Sequence, residues 1–302
     1  MKNFKSVLEL ITYFKDDSIC RSYLEEMIWD NKPICPHCGS ERFYRFKGGK
    51  QFKCASNTCY KKFTVTTGTM FDSSKISLVK WFIAIYLHTS HKKGISSYQL
   101  AKDIDVSQKS AWFMVSRLRE MDMSKERQVF DGVIEADETF IGGSDANRHE
   151  YKKKGKDSQI PVLGIVERGG RLLVVPIAAR QTKYILQPII STVKPESVIN
   201  TDDFKAYRQL KNNYTHFKVN HTDKEFVNGL AHTNTIEGAF SQLKRSIYGC
   251  YHSVSPKHLH RYCNETAFRY STRFMKEDER FALAIKQATT VLRYKELIAK
   301  PK

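Results

Sequence analysis

GVIEADETFIGG, residues 132–143, sets acidic side chains inside an apolar run and closes on two glycines. The composition is that of a β-strand, in which successive side chains alternate between the two faces. An acid that points inward from a strand needs a metal ion, a cation or a proton to be tolerable. Asp137 is that acid. Glu138 and Asp203 neighbour acids of interest but point to the opposite face by the same alternation, which makes them weaker candidates.

Reading outward from this strand, PVLGIVERGGRLLVVPIAAR (161–180) predicts a hairpin turning at Arg168-Gly169-Gly170. A helix over Thr182–Val193, the strand SVINTDD, a helix from Phe204, the strand HFKVNH and a last helix in HTNTIEGAFSQLKRSIYG (232–249) follow. Three strands, helix, strand, helix, strand, helix is the ribonuclease-H-like order, an α/β (α+β) fold. Asp202 ends the fourth strand, the usual exit point for site residues on such a sheet. On the last helix Asn234, Glu237, Ser241 and Lys244 share an arc of roughly 80°, apart from the apolar stripe Ile236, Phe240, Leu243 and Ile247. Between the first two strands lies the basic loop HEYKKKGKDSQ, whose Lys152, Lys153 and Lys154 are candidates to hold a phosphate backbone.

Upstream, four of the seven cysteines fall in one stretch, Cys35 and Cys38, then Cys54 and Cys59. In a reducing cytosol such pairs read as metal ligands before disulfides, and two knuckles joined by the short strands FYRFKG and KQFKC form a zinc ribbon around one structural Zn²⁺. After an apolar helix around Trp81–Leu87, ISSYQLAKDIDVSQKSAWFMVSRLRE reads as helix, short turn, helix. Ser107 suits the N-cap of the second helix, and the pattern is that of a helix-turn-helix. Gln108, Lys109, Ser110, Arg117 and Arg119 are then candidates to face DNA. The alternative is a helical hairpin that merely packs.

Fifty Lys and Arg against 32 Asp and Glu leave a net charge of +18 in 302 residues. That excess favours a polyanionic partner, because each neutralised phosphate releases counterions. The start MKNFKSVLELITYF carries no cleavage-site pattern, and the longest apolar run, Trp81–Leu87, is far too short to span a bilayer. These features lead us to expect an intracellular protein with no membrane partner. SPKHLHRYCNETAFRYSTRF interleaves aromatic and basic residues at helical spacing, which reads as a core stripe with a solvated face, and Glu277–Ala299 reads as one more helix.

The motifs CPHCGS, FTVTTGTMFDSSK, ISSYQLAKDIDVSQKSAWFM, VIEADETFIGG, INTDDFKAY and HTNTIEGAFSQLKRSIYGCYHSVSPKHLHRY occur in this order between about residues 30 and 272. Together they resemble DDE-type insertion-sequence transposases of the group with an N-terminal zinc ribbon, often called ISXO-two-like. The resemblance implies that Asp137, Asp202 and Glu237 are an acidic triad holding two Mg²⁺ or Mn²⁺ ions. It makes Lys244, with Arg245 beside it, a contact to the DNA backbone near the scissile phosphate. Since the match extends across SPKHLHRYCNETAFRYSTRF, it also implies a helix there packed on the catalytic domain, with some DNA contact from Arg261 and Arg269. Some members carry asparagine in the third position, and Asn234 lies one turn before Glu237, so both are candidates there. The implied reaction is cutting of element ends and joining of 3′-hydroxyls to target DNA. The alternatives are a DNA-binding regulator derived from a transposase and a ribonuclease-H-like nuclease without strand transfer.

The expected organisation is an N-terminal helical segment (1–30), a zinc ribbon (31–72), a helix-turn-helix region (73–126), a catalytic domain (127–272) and a C-terminal helix (273–302). The implied partner is double-stranded DNA, as terminal inverted repeats and as target, bound by a homodimer or higher assembly. The implied setting is the nucleoid in a prokaryotic cytoplasm.

Overall fold

The computed structural model describes residues 4–121, 129–142, 159–219 and 232–299. The chain divides into two compact units, one of Met1–Asp122 with Met275–Lys302 and one of Met123–Phe274.

The first unit opens with α1 (Val7–Tyr13) and α2 (Asp17–Trp29), the latter started by Asp16, whose carboxylate accepts the backbone N–H groups of Ser18 and Ile19. A three-stranded antiparallel sheet follows, β1 (Phe43–Arg45), β2 (Phe52–Cys54) and β3 (Lys62–Phe63). Its rear face is closed by Phe43, Phe52, Phe63 and Trp29, with Phe52 and Phe63 stacked at 5.4 Å between ring centroids. The apolar helix is α3 (Leu78–Ser90). Then α4 (Ser97–Asp103) and α5 (Gln108–Met121) flank a short turn in which Asp105 takes a positive φ. Ser107 caps α5, its hydroxyl accepting the Ser110 N–H at 3.2 Å. The expected inner residues Ala111, Met114, Val115 and Leu118 are all buried.

In the second unit the described strands form one mixed five-stranded sheet of order β6-β5-β4-β7-β8. These are β4 (Val133–Ile141), β5 (Ile160–Glu167), β6 (Leu172–Pro176), β7 (Val198–Asp202) and β8 (Thr215–Val219). β4, β5 and β6 run antiparallel in sequence, whereas β7 and β8 continue parallel to β4. One face carries α6 (Thr182–Thr192) and a 3-10 helix (Lys205–Asn212), packed over Ile134, Ala136, Leu163 and Ile165. The other carries α7 (Asn234–Ser246) and α8 (Leu259–Ser271), packed over Ile141, Val162, Val166 and Val174. This mixed α/β arrangement, in the predicted order, is consistent with a ribonuclease-H-like domain. The segment from Phe204 differs from expectation by being the tighter 3-10 form, suited to a short link between adjacent parallel strands.

The chain ends in the first unit with α9 (Glu277–Lys286) and α10 (Tyr294–Ile298) rather than one continuous helix. The break has a tertiary cause. Between them the Ala288 carbonyl accepts the Met70 N–H and the Leu292 carbonyl accepts Arg117, so this backbone is bonded to other elements. Among the described residues no helix is long and apolar enough to cross a membrane.

Candidate active site and zinc centre

β4 is bonded to β7 only along Val133–Glu135, paired with Val198–Asn200. Beyond that point the ladder stops, and the next residues of β4 border the gap into which the end of β7 delivers Asp202. Carboxylate oxygens of Asp137, Glu138 and Asp202 lie within 4.8 Å of one another there. Arg180 Nη2 stands 3.7 Å from Glu138 and 3.5 Å from Asp202, with its guanidinium 3.9 Å over the Phe204 ring.

The electrostatics are those of like charges in a dry place. Burial pushes the Asp137 carboxyl up from its ordinary 3.8 to about 7, and the charges of Asp202, Glu138 and Glu237 add to the rise. The Glu138 N–H, donated to Asp137 Oδ1 at 2.7 Å, works against it. Burial also raises Glu138, whose side chain is 1% exposed. The buried Tyr207 hydroxyl faces the Glu138 carboxylate, and among the described residues no group meets Glu138 in full hydrogen-bond geometry. A buried carboxylate held so loosely is costly unless a cation satisfies it. Three convergent hard oxygen donors fit Mg²⁺ or Mn²⁺ rather than a soft metal.

Glu237, in the first turn of α7, is exposed and lies outside this group of three oxygens. Its charge nonetheless reaches Asp137, and its Oε1 accepts the Thr233 hydroxyl at 3.1 Å. Asn234, the first residue of α7, is exposed. Lys244 is half-buried near the helix end, and Arg245 beside it is exposed, its Nε donating to the Ser241 carbonyl at 3.1 Å.

In the first unit the four predicted thiols converge. Cys35 and Cys59 sulfurs are 3.8 Å apart and those of Cys38 and Cys54 3.5 Å, all four lying within 4.8 Å of one another. A tetrahedral ion with bonds of about 2.3 Å needs sulfur–sulfur edges of about 3.8 Å, so the set fits Zn²⁺. His37 is exposed beside the first knuckle.

Residues 129–271 match the family model described as ISXO2-like transposase domain, and residues 15–62 that described as transposase zinc-ribbon domain. The chain thus carries a zinc ribbon and a DDE domain of the ISXO2-like transposase kind. A protein of transposable element ISH50 from Halobacterium salinarum is 28% identical to this transposase over 252 residues, 78% of this chain and 84% of the relative. A transposase-like protein of Haemophilus influenzae is 26% identical over 102 residues, 33% of this chain and 81% of the relative.

The candidate DNA contacts of the transposase divide. Gln108, Lys109 and Ser110 open α5; Gln108 donates to Ser97 Oγ at 2.9 Å, and Lys109 is exposed, its ammonium 5.3 Å from the centroid of the Tyr294 ring. Arg117 is corrected by the structure. Its buried guanidinium donates to the carbonyls of Leu292, Met70 and Asp72 at 3.0, 2.7 and 3.0 Å, so it ties its own unit together rather than facing DNA. Arg119 and Arg261 are buried as well, and Arg269 pairs with Glu265 at 2.6 Å. Lys152, Lys153 and Lys154 lie outside the described residues.

Three site residues of the transposase were not legible as such. Glu138 does face away from Asp137 as alternation requires, yet the parting of β4 from β7 opens both faces to Asp202. Arg180 carried one usable signal: a cation just before the N-terminus of α6 opposes the helix dipole and calls for an acidic partner. Tyr207 had none.

Proposed function

We propose that this transposase cuts the ends of its element and joins the 3′-hydroxyls to target DNA by in-line phosphoryl transfer. The observation that carries the reading is the convergence of Asp137, Glu138 and Asp202 oxygens within 4.8 Å at the open end of the sheet. Bound there, a pair of Mg²⁺ or Mn²⁺ ions supplies Lewis-acid charge to the attacking and leaving oxygens. Asp137 and Asp202 hold the ions, and Glu237 from α7 completes the set; Asn234 offers only a neutral oxygen in that place. Glu138 offers the third oxygen of the convergent group, with Arg180 standing 3.7 Å from it. Lys244 and Arg245 lie along α7 from Glu237, where they would grip the phosphodiester backbone of the strand being cut.

The remaining parts serve recognition. We assign one structural Zn²⁺ to Cys35, Cys38, Cys54 and Cys59 in a ribbon spanning 31–72, and reading of the terminal repeats to Gln108, Lys109 and Ser110 in the 73–126 region. Catalysis falls to 127–272, working on intracellular DNA as a dimer or larger assembly. The net charge of +18 supports such a partner. The test is incubation with Mg²⁺, a pre-cut donor end and plasmid. Covalent joining that disappears with Asp137→Asn supports the reading; nicking without joining, or joining by Asp137→Asn, overturns it.

A further inference from the structure

Two residues before Asp137, on the same face of β4, sits Glu135, 0% exposed. Its carboxylate is not part of the acidic group at the strand end. Oε2 accepts the backbone N–H groups of Thr235 and Ile236 at 2.8 and 3.0 Å, and Oε1 accepts the Thr235 hydroxyl at 2.8 Å. Arg168 Nε donates to Oε1 at 2.6 Å, and its Nη2 donates to the His232 carbonyl at 3.0 Å. His232 Nδ1 lies 3.1 Å from Oε1.

Thr235 and Ile236 belong to the first turn of α7, whose N–H groups have no partner within the helix. Ordinarily the N-cap side chain takes one of them. Here Thr233 makes no such bond, its hydroxyl going instead to Glu237 Oε1. The cap is supplied from β4, a strand far away in sequence. A second feature seats the same helix. Gly164 lies directly across the ladder from Asp137, and a Cβ there would meet Ile236 Cδ1 at 2.5 Å and the Phe240 ring at 2.8 Å. The missing side chain lets α7 come down onto the sheet beside Asp137.

We infer that Glu135 and Gly164 are positioning residues that set the distance between Glu237 and Asp137, and so the ability of the two acids to share a divalent cation. The spacing supports this: the bonded pair Glu135 and Thr235 stands two residues before the reacting pair Asp137 and Glu237 on both elements. Any slip of α7 at the cap is therefore passed directly to Glu237. The inference rests on Glu237 being a ligand, as proposed above.

The test is Mn²⁺ binding to the full chain, followed by the electron paramagnetic resonance signal of free Mn²⁺, with zinc content and thermal unfolding checking the fold. Glu135→Gln keeps the shape but loses charge and one acceptor, and should weaken Mn²⁺ about tenfold, as loss of an orienting partner does at metal sites. Gly164→Ala, which leaves every carboxylate in place, should weaken it in the same direction and covers the case in which Glu135→Gln fails to fold. In a Glu237→Gln background, which is itself weakened, neither change should cost anything more.

Wild-type Mn²⁺ affinity in both Glu135→Gln and Gly164→Ala would overturn the inference, as would losses that persist undiminished in the Glu237→Gln background. A Glu237→Gln protein with wild-type affinity would instead remove Glu237 from the ligand set, and the inference with it.

Discussion

The guanidinium of Arg180 stands 3.5 Å from the carboxylate of Asp202. It also reaches Glu138, 3.7 Å away, and so is a counter-charge to both acids. Arg180 and a divalent cation therefore compete for the same oxygens. Arg180→Gln should bind Mn²⁺ several-fold more tightly, and isothermal titration checks this; unchanged or weaker binding would show that the arginine does not oppose the ions.

Asp137 supplies a pH dependence whose sign is fixed. Its folded-state value of about 7 exceeds the ordinary 3.8, so between these limits the folded chain holds a proton that the unfolded chain has lost. Stability of the metal-free protein should fall as pH rises through that interval and level off above about 7. Added Mg²⁺ should stabilise more at pH 8 than at pH 6. Asp137→Asn should flatten both trends in thermal denaturation, and an undiminished slope in that variant would assign the effect to another group.

How far the sequence carried the reading can be judged at single residues. Cys35, Cys38, Cys54 and Cys59 were legible because thiol pairs at short spacing have few other uses in a reducing compartment. The strand around Asp137 was legible because acids inside an apolar run are anomalous, and α7 because its polar and apolar stripes separate. Alternation correctly sent Glu138 to the other face. What alternation cannot express is where two strands part, and that parting brings Glu138 into the group. Arg117 was misread because a cation on a helix is ordinarily solvent-facing, whereas three carbonyls from distant segments here replace water. The break between α9 and α10 likewise depends on bonds to Met70 and Arg117, which no local pattern contains.

The ribbon should hold one zinc ion and depend on it. Cys35→Ser with Cys38→Ser should abolish stoichiometric zinc by elemental analysis and melt the sheet that Phe52 and Phe63 hold together. Structural zinc contributes about 10 kcal/mol or more in small peptides, far above what so small an apolar cluster supplies. Full zinc content in the double variant would refute the assignment.

Contacts that read bases and contacts that hold the fold should separate by mutation. Replacing Gln108 and Lys109 with alanine should lower affinity for terminal-repeat DNA more than for random DNA and leave stability within about 0.5 kcal/mol. Arg117→Ala should instead destabilise by about 3 kcal/mol, since it leaves buried carbonyls unsatisfied. Fluorescence anisotropy and urea denaturation distinguish them. Equal losses on both DNAs from the Gln108 and Lys109 changes would make the helix pair a scaffold.

Whether α7 brings a third acid to Asp137 and Asp202 is decided by joining of pre-cut donor ends in Mg²⁺ and Mn²⁺ with variants of that helix. Glu237→Gln, nearly isosteric but uncharged, should lose joining by orders of magnitude while still binding end DNA. Asn234→Ala should retain measurable activity, and Lys244→Ala should fall between the two. An active Glu237→Gln beside an inactive Asn234→Ala would contradict the account and give the third position to asparagine.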